Sequence, residues 1–324
     1  RSRLAGNADD RPFLDTSRMF DVENAATDFL DDAEEPFFLW IHYMDTHTPY
    51  VPAPRYIREV SDGFLGTHRM LHAHTRTGLG WEVDDRTLRE LRTLYQAAAR
   101  QVDDSIGRVL DALSANGLAD DTAVVLAGDH GEEFQDHGHL AHYPKLYDEL
   151  IRVPLIIDVP GVDGGRIHGQ VGLDAIPPTV TDLLGADAPG AWRGSSLLPA
   201  VADGEAPDDD PVVSVAVRGE EVTTQPIPRS LDDGDLLVSV RDRDWTYVRN
   251  VETGAEELYH RPTDPGQTAD RSADPDDESA RVLDRHRPVA DRHAELVRAG
   301  ASAATPDPEV DADLGARLEA LGYR

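Results

Sequence analysis

Residues 127–139 have the sequence AGDHGEEFQDHGH, and the rest of the chain is organised around this stretch. An apolar run at 122–126 precedes it, and another at 153–157 follows it. Short continuous apolar runs are typical of strands that are buried in a sheet. Because open α/β sheets bind their ligands at the carboxyl ends of strands, we expect residues 128–130 to lie at a functional site.

Asp129 and His130 place a carboxylate oxygen next to an imidazole at the end of the first predicted strand. This pair suits a divalent metal, and its hard oxygen favours Ca²⁺ or Mg²⁺ over metals that prefer thiolates. A turn capped by an aspartate would have the same sequence, but four of the 13 histidines fall within residues 130–142. We therefore predict that Asp129 and His130 are metal ligands.

The other polar residues of this stretch have less specific patterns. His137 and His139 either support the metal site or face a substrate, and exposed histidines of a turn are the alternative. Glu132 and Glu133 are predicted to be solvent-exposed acids that shape the loop.

Lysine usage singles out one further residue. Of the 31 basic residues, 30 are arginine and one, Lys145, is lysine. A planar guanidinium does not always replace a compact ammonium that points at one oxygen. Lys145 is therefore a candidate site residue, and its survival by chance is the alternative.

The charge balance is strongly acidic, with 62 acidic residues against 31 basic ones and a formal net charge of -31. Such a surface repels nucleic acid and anionic membranes, so we expect neither as a partner. Self-repulsion of this size is tolerated where salt screens it, because the Debye length at molar ionic strength is about 3 Å. We interpret the composition as that of a halophile-type, haloarchaeal cytoplasmic protein. An ordinary acidic protein from a GC-rich genome is the alternative.

Two absences in the sequence exclude further classes. The chain has no cysteine, so disulfides, zinc–thiolate sites and a cysteine nucleophile are excluded within these residues. No apolar run approaches the roughly 20 residues that span a bilayer, and none resembles the core of a signal peptide. We therefore expect no membrane segment.

A second apolar run, FFLWI at 37–41, follows Pro36 and predicts another strand buried on both faces. His47 lies beyond its end, and its imidazole has a pKa suited to protonating a leaving group or binding an oxyanion. We expect His42, at the end of the strand itself, to pack in the core.

The remaining pattern alternates strands and helices. Apolar spacing predicts helices at 18–32, 86–115 and 173–185, while the Pro- and Gly-punctuated residues 51–84 are predicted to form a loop over the site. This alternation predicts an α/β fold with a mostly parallel sheet sandwiched by helices. The histidines of the loop are expected to be solvated, and a role as ligands is the alternative; they are His68, His72 and His74.

The sequence becomes acidic and proline-rich at residues 203–211, which predicts a linker and a domain boundary. We expect an α/β core at 1–202 and a small C-terminal antiparallel α+β subdomain at 203–324. The elements predicted for the subdomain are strands at 211–217, 235–240 and 244–250 and helices near 278–299 and 309–322.

Five segments of the core occur in a recognisable order and spacing: FFLWIHYMDTHTPYVP at 37–52, LYQAAARQVDDSIGRVLDAL at 94–113, DDTAVVLAGDHGEEFQDHGH at 120–139, KLYDELIRVPLII at 145–157, and residues 173–184. Together they resemble the sulfatase family of the alkaline-phosphatase superfamily. The subdomain is similar to that family at 256–259, 264–265 and 318–323.

The resemblance implies roles for four residues. Asp129 and His130 would be two ligands of a divalent metal, with calcium the usual ion and Mg²⁺ or Mn²⁺ as alternatives. Lys145 would bind the sulfate oxygens near the leaving group. His47 would contact the substrate at the bridging oxygen.

The chain also departs from the family pattern. Sulfatases carry paired aspartates after an early strand and a Cys or Ser nucleophile, oxidised to formylglycine, in a C/S-x-P-x-R motif. The chain has no cysteine and no serine or threonine in that frame, and its early aspartate pairs, at 9–10, 31–32 and 84–85, follow no suitable strand. We expect the nucleophile upstream of Arg1, and therefore expect a C-terminal portion that is inactive alone.

The expected function is hydrolysis of a sulfate ester of a small molecule or glycan. The metal and Lys145 would hold the sulfuryl oxygens while His47 assists departure of the alcohol. Alternatives on the same fold are a phosphate-ester or phosphodiester hydrolase and a phosphoglycerol-type transferase. A non-catalytic domain that binds anionic glycans is a further alternative.

Overall fold

The computed structural model describes residues 19–61, 83–204, 206, 207, 209–218 and 234–302. The chain divides into two compact units between Ala123 and Val124. The predicted boundary at residues 202 and 203 lies inside the second unit, and that division of the chain stays a prediction.

The described part of the first unit is mainly helical. Its long helix begins at Asp85, where the Asp84 carboxylate caps it by accepting a hydrogen bond from the Thr87 amide at 2.7 Å. This helix packs against both shorter ones and buries Leu91 and Leu94, each contributing roughly 1.5–3 kcal/mol. The helices are α1 Met19–Asp31, α2 Pro54–Val60 and α3 Asp85–Ala115, followed by a 3₁₀ turn at Ala119–Asp121.

Two of these helices confirm the predictions at 18–32 and 86–115, whereas the predicted loop at 51–84 is wrong at its start. Residues 54–60 form α2, with Pro54 in the first turn, where a missing amide hydrogen costs nothing. The loop histidines at 68, 72 and 74 lie outside the described residues.

The predicted strand at 37–41 is wrong. Within the described residues this segment pairs with no strand, and Phe38 and Trp40 are 64% and 75% exposed. The alternate residues Phe37, Leu39 and Ile41 are only partly buried. One face of the run is therefore partly buried and the other is exposed, whereas burial on both faces was expected.

The second unit begins with β1 Val124–Ala127, which pairs antiparallel with β4 Leu155–Asp158, so that Ala127 lies opposite Leu155. Between them lie a small antiparallel pair, β2 Glu133–Phe134 and β3 Leu140–Ala141, and a single helical turn, α4 Asp148–Ile151. Every strand pair in the described part of the chain is antiparallel. The mostly parallel sheet is therefore not formed by these strands, because no long crossover helix joins β1 to β4.

The rest of the second unit starts with short helices and ends with a four-stranded antiparallel sheet in the order β5-β6-β7-β8, covered by a long helix. Leu236, Val238, Tyr247, Leu258 and Leu283 form its core. The strands predicted at 211–217, 235–240 and 244–250 and the helix predicted near 278–299 are present. The elements are a 3₁₀ turn Leu173–Ala175, α5 Ile176–Leu183, α6 Leu198–Ala202, β5 Val212–Arg218, β6 Asp235–Arg241, β7 Trp245–Asn250, β8 Glu256–His260 and α7 Asp277–Ser302.

The helix predicted at 309–322 lies outside the described residues. Among the described helices, none combines the length and apolarity needed to cross a membrane.

Candidate active site

The backbone that follows β1 is fixed by hydrogen bonds to the segment leading into β4. The Gly128 amide donates to the Pro154 carbonyl at 3.1 Å, and the Gly131 amide donates to the Leu150 carbonyl at 2.7 Å. A Cβ at position 131 would lie 2.0 Å from the Glu149 carbonyl oxygen, so only glycine allows this close approach. These contacts hold Asp129 and His130 at the end of the strand.

Asp129 and His130 are arranged in a way that suits two metal ligands. The His130 Nδ1 lies 2.8 Å from the Gly131 carbonyl, which can only accept, so Nδ1 carries the proton and Nε2 the lone pair. Nε2 lies 4.0 Å from Asp129 Oδ2, and the two side chains are 34% and 55% exposed. A cation therefore has access to both donor atoms.

These two residues supply only part of a metal shell. Within the described ranges, no group of three or more His, Asp or Glu side chains is placed to hold a metal. Calcium takes 6–8 oxygen ligands in proteins and magnesium is octahedral. The pair fits a divalent ion by its chemistry, and further ligands are needed to complete the site.

His142 lies directly beside the candidate metal pair. Its ring centroid is 4.4 Å from that of His130, with the planes tilted by 33°. Its Nδ1 lies 3.0 Å from Oε1 of Glu132, whose side chain is only 3% exposed. The prediction of a solvent-exposed Glu132 is therefore wrong, because this carboxylate is buried against the imidazole that it orients.

Glu133 is also buried, contrary to the prediction. Its Oε1 accepts the amide hydrogens of His137 and His139, at 2.9 and 2.8 Å, and its Oε2 lies 2.8 Å from the Lys145 Nζ. Nζ also donates to the His137 carbonyl at 2.8 Å. The lysine that was singled out as a sulfate ligand is thus 5% exposed and paired with a fully buried carboxylate.

His137 is held between protein groups on both sides of its ring. Its Nδ1 lies 2.5 Å from Glu149 Oε1, its Nε2 lies 3.0 Å from the Gln267 carbonyl, and its ring stacks on Tyr147 at 3.7 Å. Burial acts to lower the pKa of His137, but the Gln267 carbonyl and the Glu149 carboxylate raise it above its usual value. Both ring nitrogens face acceptor oxygens, one of a carboxylate and one of a carbonyl, and this geometry favours the protonated ring as a cross-link within the second unit.

His47 belongs to the first unit. Its Nδ1 lies 2.6 Å from the Thr48 carbonyl, which assigns the proton to Nδ1. The buried Gln101 of α3 ties this segment down, accepting from the Ala53 amide at 2.7 Å and donating to Asp45 at 3.0 Å. His42 is exposed, so the prediction that it packs in the core is wrong.

A cavity of about 1080 Å³ lies within the second unit beside the candidate metal pair. Asp129, His130, His142 and Lys145 line it, whereas His137 and His139 do not. Sequence reasoning gave no role to His142, although that residue was part of the histidine cluster. It also missed the cavity's arginines, which are Arg152, Arg241, Arg243 and Arg261.

Comparison with known proteins identifies the family. The sulfatase family profile matches residues 7–186. The chain is 31% identical over 265 residues to the multifunctional alkaline phosphatase superfamily protein PehA of Trinickia caryophylli, covering 71% of this chain and 50% of that protein. It is 27% identical over 225 residues to the Delta 4,5-hexuronate-2-O-sulfatase of Bacteroides thetaiotaomicron, covering 68% and 44%.

A solved structure shares the fold. The phosphonate monoester hydrolase of Agrobacterium radiobacter matches with a TM-score of 0.67 at 22% identity, over 90% of this chain and 63% of that one. The chain spans about half the length of the curated relatives it matches. Because the family profile covers more than half of the 324 residues, this chain belongs to the sulfatase family.

Proposed function

We propose that this chain is part of a metal-dependent sulfuric ester hydrolase that acts on a small-molecule or glycan sulfate ester. The observation that carries the proposal is the pairing of Asp129 and His130 at the end of β1, with Nε2 and Oδ2 4.0 Å apart and both residues lining a cavity. Sulfatase family membership supports sulfate as the group transferred. Calcium is the ion we expect, with Mg²⁺ or Mn²⁺ as alternatives.

Asp129 and His130 would hold the metal, which, when bound, would polarise the ester oxygens. We assign contact with those oxygens to His142, for which the sequence predicted no role, in place of the predicted Lys145. His142 lines the cavity beside His130 and is oriented by the buried Glu132. The Lys145 ammonium is already bound by Glu133 and a carbonyl, which suits a structural role.

His47 keeps its predicted role near the bridging oxygen as a proposal. Its Nδ1 proton is bound to the Thr48 carbonyl, so Nε2 is the nitrogen that would take up a proton and, once protonated, give it to a leaving group. The remaining metal ligands and the nucleophile are proposed to come from a part of the enzyme upstream of Arg1. That proposal is supported by the incomplete metal shell among the described residues and by the greater length of the relatives.

Calcium titration by calorimetry tests the metal pair directly. We expect the chain to bind Ca²⁺ weakly, and Asp129→Asn or His130→Gln to abolish this binding. Asp163→Asn, at an exposed loop position, is the matched control. Binding that persists unchanged in both site variants would remove Asp129 and His130 from the metal site.

Hydrolysis assays test the reaction class. We expect no turnover of 4-nitrophenyl sulfate by these 324 residues alone, and Ca²⁺-dependent turnover by an enzyme that contains the upstream part. Similarity to a phosphonate monoester hydrolase makes phosphorus-ester hydrolysis the second candidate. Faster turnover of 4-nitrophenyl phenylphosphonate than of the sulfate would favour that candidate, and the absence of both activities would favour a non-catalytic anion-binding domain.

A further inference from the structure

The lining of the cavity beside the metal pair carries more basic than acidic side chains, which is the reverse of the chain as a whole. Across the sequence, acidic residues outnumber basic ones by 62 to 31. In the cavity lining the ratio is reversed, with five basic side chains against three acidic ones. The basic residues are Lys145, Arg152, Arg241, Arg243 and Arg261, and the acidic residues are Asp129, Asp174 and Asp209. A surface with the average composition of this chain would be negative. The excess of basic residues in the cavity lining therefore points to an anionic ligand.

Arg241 is the buried residue among the arginines that line the cavity, which we call the arginine wall. It is 7% exposed, and its Nη2 lies 2.7 Å from Asp148 Oδ2. Its buried Nε has no hydrogen-bond partner among the described residues. Burial, together with the charges of Arg261 and Arg152 and against that of Asp148, lowers the pKa of Arg241 to about 10. The site therefore holds more positive charge than Asp148 neutralises.

Arg261 fixes the geometry of the turn that carries Arg243. Its Nη1 donates to the carbonyls of Asp242 and Arg243 at 2.7 and 2.8 Å, and to Gln170 Oε1 at 3.0 Å. Gln170 in turn donates to the Arg241 carbonyl. The turn between β6 and β7 is thus fixed by Arg261, which follows β8, and the backbone carbonyls of Arg241 and Arg243 are held by these contacts.

Arg152 and Arg243 complete the wall from the solvent side. Both are exposed and line the cavity, and within the described ranges neither side chain forms an ion pair with another residue. A guanidinium presents a rigid fork of donors that matches sulfate or carboxylate oxygens in two parallel hydrogen bonds. These two arginines are available for such contacts.

We propose that Arg152, Arg241 and Arg243 form a subsite for a second anionic group, so that the preferred substrate is a sugar ester with a further sulfate or carboxylate. This inference rests on the proposed function, because it places the reacting ester at Asp129 and His130 and the second anion at the arginines of the same cavity. It narrows the substrate class from sulfate esters in general to those that are at least doubly anionic.

Calorimetry with two sugars tests the subsite. D-glucosamine 2-N,6-O-disulfate carries two sulfates, whereas N-acetyl-D-glucosamine 6-O-sulfate carries one. We expect the intact chain to bind the disulfate at least about tenfold more tightly at equal salt concentration, since hydrogen bonds to charged groups are strong. The double variant Arg152→Gln/Arg243→Gln should lose this preference, while Arg281→Gln, at an exposed position of α7, should keep it. Equal affinity for both sugars, or a preference that survives in the double variant, would overturn the proposal.

A third variant separates this inference from the proposed function. In Asp129→Asn the disulfate should still bind more tightly than the monosulfate, because the arginines are intact. A preference that depends on the arginines while Ca²⁺ binding fails would uphold the subsite and reject the metal site. Ca²⁺ binding without any preference between the sugars would uphold the metal site and reject the subsite.

Discussion

The Nζ of Lys145 lies 2.8 Å from Oε2 of Glu133, and the two side chains are 5% and 0% exposed. The other carboxylate oxygen of Glu133 accepts two amide hydrogens from the turn after β2. This buried ion pair therefore fixes the turn after β2, in the segment that follows the candidate metal pair. A lysine retained where all other basic residues are arginine is explained by this confined position, in which a compact ammonium donates to a carboxylate and to a carbonyl.

Replacing Lys145 by methionine should destabilise the protein by about 3–5 kcal/mol, because Glu133 would be left as an uncompensated buried charge. Urea unfolding followed by circular dichroism measures the change. The double variant Lys145→Met/Glu133→Gln should recover part of the loss. A single variant as stable as the wild type would contradict the structural role.

His142→Gln should weaken the binding of inorganic sulfate in the presence of Ca²⁺ about tenfold or more, the scale of one hydrogen bond to a charged group. Its effect on the unfolding midpoint should be small, since the glutamine amide can still donate a hydrogen bond to the buried Glu132 carboxylate. His139→Gln is the matched control, because His139 does not line that cavity. Unchanged sulfate binding in His142→Gln would show that another residue contacts the sulfate oxygens.

Sequence patterns located most of the described helices and three strands of the four-stranded sheet, but they missed α2 and β8 and failed at residues 37–41. The spacing of Leu91 and Leu94 placed α3 within one residue of its observed ends. The run at 37–41 was apolar enough for a buried strand, yet Phe38 and Trp40 are exposed. Strand burial depends on partners that are distant in sequence, and an apolar run carries no information about whether those partners are present.

The candidate site could be predicted only where its residues are adjacent in the chain. Asp129 and His130 were found because they follow one another at a strand end. The burial of Glu133 was not predictable, since acidic residues are rarely buried without partners and its partners are amides of a turn and a lysine 12 residues away. The arginine wall was also missed, because it joins Arg152 to residues about 90 positions later in a chain rich in arginine.

Gly131→Ala should destabilise the protein by about 1–3 kcal/mol and weaken Ca²⁺ binding, because the added methyl group would overlap the Glu149 carbonyl and displace His130. Thermal unfolding and calcium calorimetry measure the two effects. Gly164→Ala is the control, since a Cβ there would meet nothing within 4 Å. A Gly131→Ala protein with normal calcium binding would show that the close approach does not position the metal pair.

The net charge of -31 predicts a strong dependence of stability on salt. Raising KCl from 0.1 to 1 M shortens the Debye length from about 10 to about 3 Å and so screens the self-repulsion of the folded state. The free energy of unfolding, measured by urea titration at each salt concentration, should rise across this range. Constant stability between the two concentrations would contradict the interpretation as a halophile-type surface and favour an ordinary acidic protein.

The protonated state of His137 should make stability fall as pH rises above the ordinary histidine pKa of about 6.5. Folding raises the pKa of His137, since the Gln267 carbonyl and the Glu149 carboxylate outweigh its burial. Below about pH 6.5 the ring is protonated in both states and its contribution to stability is fully present. As pH rises through the higher pKa of the folded state, the proton is lost and its contribution to stability is lost with it.

Urea unfolding between pH 6 and 9 should therefore show a decline in the free energy of unfolding that is smaller in His137→Gln. The control His293→Gln, at a half-buried position on α7, should show the full decline. Parallel pH profiles for the wild type and His137→Gln would show that the ring is not the protonated cross-link.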